Sequence, residues 1–531
     1  MKTLVIVAIL FEIFSFSLFA KVTFDVQGID QLINIEIEDV RLSPKGDYSS
    51  PELVGVDYGK AYFKKVGFPK LPVLRFVLKT TNDDVEVEFS KKKHEINIDS
   101  PLWPNQNSLL KLPGIINNWV PEEKIEGLFP VQNYDLKRID DEQVMLTIYP
   151  VQYDQFSNKV FWTPSIHVKV TDPTFFKNKS VLFDTHDLAR PTFAFVVGRA
   201  FRRTRALNNY IEFKQGQGYN VIRLDVPANM SADSVRSWIQ VHQAQKLLYV
   251  MIIGDHAQVK SFQGVIKTGI TDHYYRFFGN PRGESGTFGA KIHLGRVPAA
   301  NESELEGVLA KFMRYQQEDI SHSDWIGKTS FLSNKKDYKQ VEETHDFILA
   351  NYFAPREYRG TFPNRSISGG DRFYENANNA TTADLKLAFN QGRGLIQYSG
   401  HGLIERWSGP HFYWNDVKEL TTNALPLVVA NACSTGNFYY DHSVGKSWII
   451  HPHGAVAYVG SIGYSYTNED DVFERAFYSA IFDLGKKRFG EILDYALSQV
   501  WIQYGGEGMA NHYWESYTLL GDPSMEFHLN Q

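Results

Sequence analysis

Two side chains suited to acyl transfer each follow an apolar segment of the sequence. His401 comes after segment 394–398 and has a glycine on either side, and Cys433, the one cysteine of the chain, comes after segment 425–430. If these segments are neighbouring parallel strands, both side chains leave the same sheet edge about 5 Å apart. A thiol placed there could attack a carbonyl carbon while the imidazole manages the proton of the leaving amine. The two patterns together predict a catalytic pair, because packing alone requires neither residue near the other.

Small residues next to this pair leave room for a substrate. Gly402 and Gly436 allow the backbone of a substrate to approach. Backbone amides near Gly402 and Cys433 are the predicted donors of an oxyanion hole, in which one donor typically contributes about 3 kcal/mol.

The N-terminus predicts export. Residues 1–20 read as a signal peptide, with Lys2 at the start, an apolar stretch over 4–18 and Ala20 before the predicted cleavage point. An uncleaved anchor is the alternative, because Glu12 interrupts the apolar stretch. No later segment has the roughly 18 uncharged apolar residues needed to span a bilayer, so we expect no membrane span after signal removal. The protein is therefore expected to be secreted, periplasmic or extracellular.

Composition excludes several classes of protein. With 55 Lys and Arg against 61 Asp and Glu, the net charge of -6 gives no reason to expect a nucleic-acid partner. A hydrophobic content of 43% supplies enough apolar surface to exclude a largely disordered chain. At 531 residues the chain is long enough for about three folded units.

Hydrophobic periodicity divides the chain into two regions. Segments 85–89, 143–149 and 165–170 alternate apolar and polar residues, which predicts an all-β region over 21–185. From residue 190 onward, continuous apolar segments alternate with helical periodicity. That pattern is typical of a mostly parallel sheet covered by helices on both faces, so the predicted class there is α/β.

The order of these blocks resembles the caspase, legumain and gingipain clan of peptidases. The likeness is specific to the gingipain family, whose successive blocks resemble segments 252–256, 271–275, 294–298 and 520–524. The resemblance implies a caspase-like catalytic region of two subdomains, 190–325 and 326–531, with the pair in the second. It also implies that the β-rich, sandwich-like residues 21–185 are an inhibitory prodomain. Structural calcium is implied as well, without assignable ligands, and no cofactor is expected for the chemistry.

The resemblance further implies a third catalytic residue. The family places an acid in the loop after the strand that includes segment 330–332, and Asp337 is the candidate here, with an exposed turn residue as the alternative. Such a carboxylate would orient His401.

A substrate pocket is implied in the same way. Glu342, three residues before His345, stands where arginine-specific members carry an acid, although it could equally lie on a solvated helix face. Tyr464 and Tyr466 follow the strand segment 455–459 where well-known members carry tryptophan. Three further acids add negative charge nearby: Glu469, Asp470 and Asp471. A basic residue before the scissile bond is therefore favoured.

The predicted function is that of a secreted cysteine endopeptidase made as a zymogen, which cleaves protein or peptide substrates and is inhibited by its own prodomain. Two alternatives remain at this stage. One is a sortase-like transpeptidase of the same family, which passes the acyl group to an amine. The other is a non-catalytic secreted binding protein on a decayed peptidase fold.

Overall fold

The computed structural model describes residues 22–27, 30–45, 48–54, 71–79, 85–98, 102, 128–138, 143–154, 157–171, 190–264, 269–278, 289–318, 320, 323–336, 338–364, 367–506 and 508–530. The predicted signal peptide, residues 1–20, and the candidate Asp337 lie outside these residues. The chain forms two compact units: an N-terminal unit, residues 1–186 with Ile502–Gly505, and a C-terminal unit, residues 187–501 with 506–531.

The described part of the N-terminal unit consists of antiparallel strands. Their bounds are β1 Val22–Gln27, β2 Asp30–Glu36, β3 Asp39–Lys45, β4 Tyr48–Val54, β5 Leu74–Lys79, β6 Val85–Phe89, β7 His94–Asn97, β8 Leu128–Phe129, β9 Tyr134–Arg138, β10 Gln143–Ile148, β11 Val151–Asp154, β12 Lys159–Trp162 and β13 Ser165–Thr171. They pair as β1-β2-β13-β6, β5-β10-β9, β7-β12-β11-β8 and β3-β4. Inward-facing residues such as Ile35, Leu146 and Val168 form one apolar core. The prediction of an all-β region is confirmed for the described residues of this unit that precede residue 172.

The C-terminal unit contains the remaining strands of the described chain. Their bounds are β14 Thr192–Gly198, β15 Asn220–Val226, β16 Leu247–Ile253, β17 Phe262–Gln263, β18 Ile270–Thr271, β19 His293–Val297, β20 Thr329–Ser333, β21 Arg359–Gly360, β22 Ile367–Ser368, β23 Asp371–Tyr374, β24 Leu395–Ser399, β25 Gly402–Leu403, β26 Arg406–Ser408, β27 His411–Tyr413, β28 Leu427–Asn431, β29 Ala457–Ser461 and β30 Tyr517–Leu520. Strands such as β16, β24 and β28 are buried along their length, which explains their continuous apolar sequences.

Ten of these strands form one sheet in the order β15-β14-β16-β19-β30-β29-β28-β24-β20-β23. We call β15-β14-β16-β19 the first half-sheet and β30-β29-β28-β24-β20-β23 the second half-sheet. All pairs are parallel except β29 with β30, and the half-sheets join where Arg296 of β19 pairs with Leu520 of β30. The α/β class with a mostly parallel sheet is confirmed. The assignment of 190–325 and 326–531 to separate subdomains stays a prediction.

Helices connect the strands of the large sheet. Their bounds are α1 Arg205–Gly216, α2 Ala232–His242, α3 Glu302–Gln317, α4 Tyr338–Ile348, α5 Glu375–Asn378, α6 Thr382–Asn390, α7 Trp414–Val417, α8 Val444–Ile450, α9 Thr467–Phe482, α10 Phe489–Gln503 and α11 Met509–Ser516. Local sequence accounts for several of their starts; the Asn301 side chain, for example, accepts the Glu304 N–H at the start of α3. Helix α9 is the one that matters most for the site, because most of its residues are buried and four of its first eight are acidic.

Candidate active site

The two predicted reactive residues leave the second half-sheet in the same register. Strands β24 and β28 are adjacent and parallel, and their last paired residues are Ser399 and Asn431. His401 and Cys433 each come two residues later, so both stand just beyond the carboxyl end of the sheet. The loops stay together past the last pair, because the Gly400 N–H donates to the Asn431 carbonyl at 3.2 Å. The predicted neighbouring strands are thus present.

The backbone at Gly402 lies directly against the turn that contains Cys433. A Cβ at Gly402 would be 2.6 Å from the Cys433 carbonyl oxygen and 2.6 Å from the Thr435 Cγ2. Only glycine permits this approach, since a real Cβ essentially never comes so close to a backbone atom. The His401 carbonyl is also held, because it accepts the Tyr398 hydroxyl at 2.5 Å and the Ser408 N–H at 2.9 Å.

The Cys433 thiol is half-buried beneath the loop that follows β29. The Ser465 N–H donates to the Cys433 Sγ at 3.4 Å, and the Ser465 carbonyl lies 3.7 Å from the same sulfur. Burial raises the pKa of the Cys433 thiol above its ordinary value, while the hydrogen bond from Ser465 lowers it. The thiol therefore needs a proton acceptor to react near neutral pH.

The turn after Cys433 has an unusual backbone conformation. Ser434 adopts a left-handed conformation with φ 59°, which is uncommon for a residue with a side chain. Its N–H donates to the Gly463 carbonyl at 2.6 Å, and the Gly436 N–H donates to the Ser461 carbonyl at 2.8 Å. These bonds fasten the Cys433 turn to the loop after β29.

A buried carboxylate lies under both strand ends. Glu474 of α9 is 2% exposed, and its Oε2 accepts the Ser399 hydroxyl at 2.7 Å and the Asn431 side-chain N–H at 3.1 Å. Its other oxygen, Oε1, is 3.2 Å from the Nε2 of the fully buried His345. Sequence reasoning missed Glu474, since nothing in the local pattern of α9 distinguishes it from a solvated helix residue.

A second buried acid, one turn earlier on α9, supports the loop over Cys433. Asp470 Oδ1 accepts the hydroxyls of Tyr517 and Tyr513 at 2.5 and 2.8 Å. The Tyr513 hydroxyl in turn accepts the Tyr466 N–H at 2.9 Å. Burial raises the pKa of Asp470 to about 7, although hydrogen bonds from Tyr517 and Tyr513 lower it. Asp470 is therefore not the fixed negative charge that the sequence suggested.

The predicted pocket residues lie at this edge with different exposures. Tyr464 is 60% exposed, and Tyr466, two residues later, is partly buried. Glu342 is partly buried and accepts the Ser333 hydroxyl at 3.0 Å, so it lies by the end of β20 and not on a solvated face. Burial raises the pKa of Glu342, and Asp346 adds to this effect against the hydrogen bond from Ser333. Asp471 pairs with Arg475 at 2.9 Å, which offsets its charge.

The loop after β20, where Asp337 was the candidate, contains Asn334 and contacts Glu375, two polar residues that sequence reasoning did not select. The Lys335 N–H donates to Glu375 Oε2 at 3.0 Å. The Asn334 amide, oriented to satisfy its neighbours, accepts the His401 N–H at 3.2 Å. This loop therefore reaches the His401 backbone.

The implied structural calcium stays a prediction. Nowhere in the described part of the chain do three or more His, Cys, Asp or Glu side chains come together as metal ligands. In the same residues, no helix combines the length and apolar character required to cross a bilayer.

The chain is similar to known peptidases over most of its C-terminal unit. The model of peptidase family C25 matches residues 186–528. Gingipain R2 of Porphyromonas gingivalis is 22% identical over 344 residues, which cover 60% of this chain and 44% of that protein. Lys-gingipain HG66 of the same organism is 22% identical over 447 residues, 72% of this chain and 24% of that protein. The chain thus spans less than half the length of these curated relatives.

Solved structures show the same fold. The crystal structure of the Arg-specific cysteine proteinase gingipain R is similar with a TM-score of 0.56 at 18% identity, covering 66% of this chain and 81% of that one. The complex of pro- and mature domains of RgpB from Porphyromonas gingivalis gives a TM-score of 0.53 at 18% identity, covering 64% and 79%. Because the family model matches more than half of its residues, the chain belongs to peptidase family C25, the gingipain family of cysteine peptidases.

Proposed function

We propose that this chain is a cysteine endopeptidase in which Cys433 is the nucleophile and His401 the general acid/base. The observation that carries the proposal is the shared register of β24 and β28, which brings both residues two positions beyond the ends of adjacent parallel strands. An apolar packing role would not require an exposed histidine beside a half-buried thiol at a sheet edge.

The proposed reaction follows from the proton balance at the pair. Because burial raises the pKa of the Cys433 thiol, His401 takes its proton as the sulfur attacks the carbonyl carbon of the scissile amide. The C–N bond then breaks, and the imidazolium returns that proton to the leaving amine. Water attacks the resulting thioester, His401 accepts a proton from it, and a carboxylic acid leaves as the thiol is restored.

The oxyanion of each tetrahedral intermediate needs backbone donors near Cys433. The Ser434 N–H is already bound to the Gly463 carbonyl, which removes it from consideration. The amides of Gly402 and Cys433 remain our proposed donors, supported by the close approach of these two backbone segments.

The proposed substrate preference is a basic residue before the scissile bond. Glu342 would pair with its positive charge, while Tyr464 and Tyr466 would form the apolar wall around the aliphatic part of the side chain. The location of Glu342 by the end of β20, at the same sheet edge as the pair, supports this role.

The β-rich N-terminal residues are our proposed inhibitor, which makes the chain a secreted zymogen. One similar structure is named as a complex of pro- and mature domains, and β-strands form the described residues that precede the α/β unit here. Keeping an exported peptidase silent until after export would protect the producing cell.

Replacement of the thiol tests the proposal. Cys433→Ala should lower peptide hydrolysis by at least about 10³-fold and abolish labelling by a thiol-directed reagent, because the chain contains no other thiol. An unchanged melting temperature is the control for folding. Residual hydrolysis above about one part in a thousand would contradict the thiol mechanism, and products formed with an added amine would identify transpeptidation in place of hydrolysis.

The substrate preference has its own test. Glu342→Gln keeps an acceptor for the Ser333 hydroxyl but removes the charge. It should lower kcat/KM for substrates with arginine or lysine before the scissile bond about tenfold or more, while a substrate with a neutral residue there changes little. An equal effect on both substrates would assign Glu342 a role other than charge recognition.

A further inference from the structure

The last residues of β24 and β28 both donate hydrogen bonds to the same buried oxygen atom. Glu474 Oε2 accepts hydrogen bonds from Ser399, the last residue of β24, and from Asn431, the last residue of β28. His401 and Cys433 each lie two residues beyond these strand ends. Glu474 therefore binds the two strand ends from which the loops with His401 and Cys433 depart.

Further bonds leave this carboxylate little freedom to move. The Ser399 hydroxyl also accepts the Gln397 side-chain N–H at 3.0 Å. The Gln397 side-chain oxygen, Oε1, accepts the hydroxyl of Tyr478, one turn further along α9, at 2.8 Å. On the other strand, the Asn431 Oδ1 lies 3.4 Å from the Tyr517 hydroxyl. The single proton of that hydroxyl goes to Asp470 at 2.5 Å, so the bond to Glu474 is what holds the Asn431 amide.

Location distinguishes this cluster from ordinary core packing. A carboxylate is costly to bury, and apolar side chains would fill the same space with less penalty. The buried polar side chains on β24 and β28 are Ser399 and Asn431 at the carboxyl ends and Gln397 in the middle of β24, while the remaining residues of these strands are apolar or Tyr398. The polar cluster thus occurs where the two loops must be aligned.

We propose that Glu474 is a positioning residue for the Cys433–His401 pair, because it holds the ends of β24 and β28 at a fixed relative height. This inference rests on the proposed function. Misplacement of reacting groups by about 1 Å can cost about 10²-fold in rate, so a modest slip of one strand end would be visible in catalysis.

The test compares two buried carboxylates of the same sheet. Glu474→Gln preserves shape but turns one acceptor into a donor that faces Ser399 or Asn431. The matched control is Asp371→Asn, since Asp371 is also fully buried and binds Ser330 at 2.6 Å and Arg393 at 2.7 Å, at the opposite ends of β20 and β24. Both variants remove a buried negative charge from the full-length chain, and only one lies beneath the pair.

Two measurements separate positioning from stability. We expect Glu474→Gln to lower kcat about 10- to 100-fold with KM changed less than about threefold. Asp371→Asn should lower the melting temperature at least as much and leave kcat within about twofold. The second measurement is alkylation of Cys433 by iodoacetamide across pH, which needs no substrate. The profile of Glu474→Gln should move toward that of His401→Ala, and the profile of Asp371→Asn should match the wild type.

Each outcome decides between the two proposals. If kcat and the alkylation profile of Glu474→Gln both match the wild type, the positioning role is wrong, whatever the peptidase activity. If the wild type hydrolyses no peptide but its alkylation still depends on His401 and Glu474, the proposed function fails while the positioning role stands. Should Glu474→Gln not fold, Ser399→Ala removes one of the two donors, and a reduction of kcat by less than about twofold in that variant would overturn the inference.

Discussion

The two half-sheets end in similar short sequences that the structure uses in different ways. In the first, β16 is followed by Gly254 and His256; in the second, β24 is followed by Gly400 and His401. Beside the first turn, Arg296 of β19 is 1% exposed, binds both oxygens of Asp272 at 2.6 and 2.8 Å, and donates to the Gly254 carbonyl at 2.7 Å. That edge is closed by a fixed ion pair.

The acids below the second edge bind neutral donors instead. Glu474 accepts from serine and asparagine, and Asp470 accepts from two tyrosines. These contacts fix the backbone beneath the edge, while His401 stays exposed and Cys433 half-buried above it. The two edges thus differ in what holds the backbone beneath them: a buried Arg–Asp ion pair at the first, and serine, asparagine and tyrosine donors at the second.

Replacement of each histidine by alanine gives the largest expected difference in kcat between the two edges. His401→Ala should reduce kcat by about 10³-fold or more, because the leaving amine loses its proton donor. His256→Ala should change kcat less than about threefold, since the His256 Nδ1 accepts the Ser261 N–H and burial lowers the pKa of this imidazole. Steady-state kinetics on both variants, with melting temperatures as a folding control, measures this. Equal losses in two folded variants would mean that the first edge also takes part in catalysis.

Removal of the Arg296–Asp272 ion pair at the first edge should lower the stability of the protein and leave its activity nearly unchanged. Arg296→Met leaves the Asp272 carboxylate buried without its cation, which we expect to lower the free energy of unfolding by about 3 kcal/mol. The kcat per labelled Cys433 should stay within about threefold, because the guanidinium meets the loop after Cys433 at the Phe438 ring, five residues beyond the thiol. Denaturant unfolding and active-site labelling measure the two quantities. A variant that keeps its stability but loses kcat would contradict the separation of the edges.

The second edge should differ from the first in its response to pH. Burial raises the pKa of Asp470 to about 7. Between about pH 4 and pH 7, the folded protein therefore keeps a proton at this group that the unfolded chain has already released. The stabilising contribution is complete below about pH 4 and is lost as pH rises through 7. Between pH 5 and 8 the wild type should lose about 2 kcal/mol more unfolding free energy than Asp470→Asn, whose amide oxygen still accepts from both tyrosines. Parallel pH dependences in the two proteins would show that Asp470 titrates normally.

The smallest effect is expected at the exposed rim of the second edge. Tyr464 is 60% exposed, and its carbonyl, not its ring, accepts the His512 Nε2–H bond at 2.7 Å. Tyr464→Ala should therefore keep the loop in place and raise KM about two- to fivefold with kcat unchanged, because only apolar contact with the substrate is lost. Michaelis kinetics on a peptide substrate provides the measurement, and a matching fall in kcat would point to a role at the reacting atoms.

Local pattern predicted the candidate pair but not the residue that lies beneath it. His401 and Cys433 could be selected because each comes within a few residues after an apolar strand, and that signal is present in the local sequence. Glu474 lies 75 residues from Ser399 and 43 from Asn431, so its contacts depend on how α9 packs across the sheet. Helical periodicity cannot specify that packing.

The sequence also did not show which acids near the site would keep an uncompensated negative charge. Asp470 and Asp471 are adjacent and looked equivalent as sources of negative charge, yet one is buried against tyrosines and the other pairs with Arg475. Similarly, the sequence predicted a mostly parallel sheet, but not that β30 would join the two half-sheets through a single paired position with β19. These outcomes depend on long-range packing and burial, which neighbouring residues do not encode.

The position of β30 bears on how the chain must be assembled during synthesis. It is the last of the ten strands to leave the ribosome, yet it lies between β19 and β29 in the middle of the sheet. Until Tyr517–Leu520 emerges, those two strands each present an open edge that another nascent chain could pair with. Asp522, two residues later, forms a fully buried ion pair with Lys214 of α1 at 2.7 Å, which locks the arriving segment against one of the earliest helices of the unit. Completion of the fold is thus coupled to completion of this segment, and a chain released early is one that a quality-control protease can recognise.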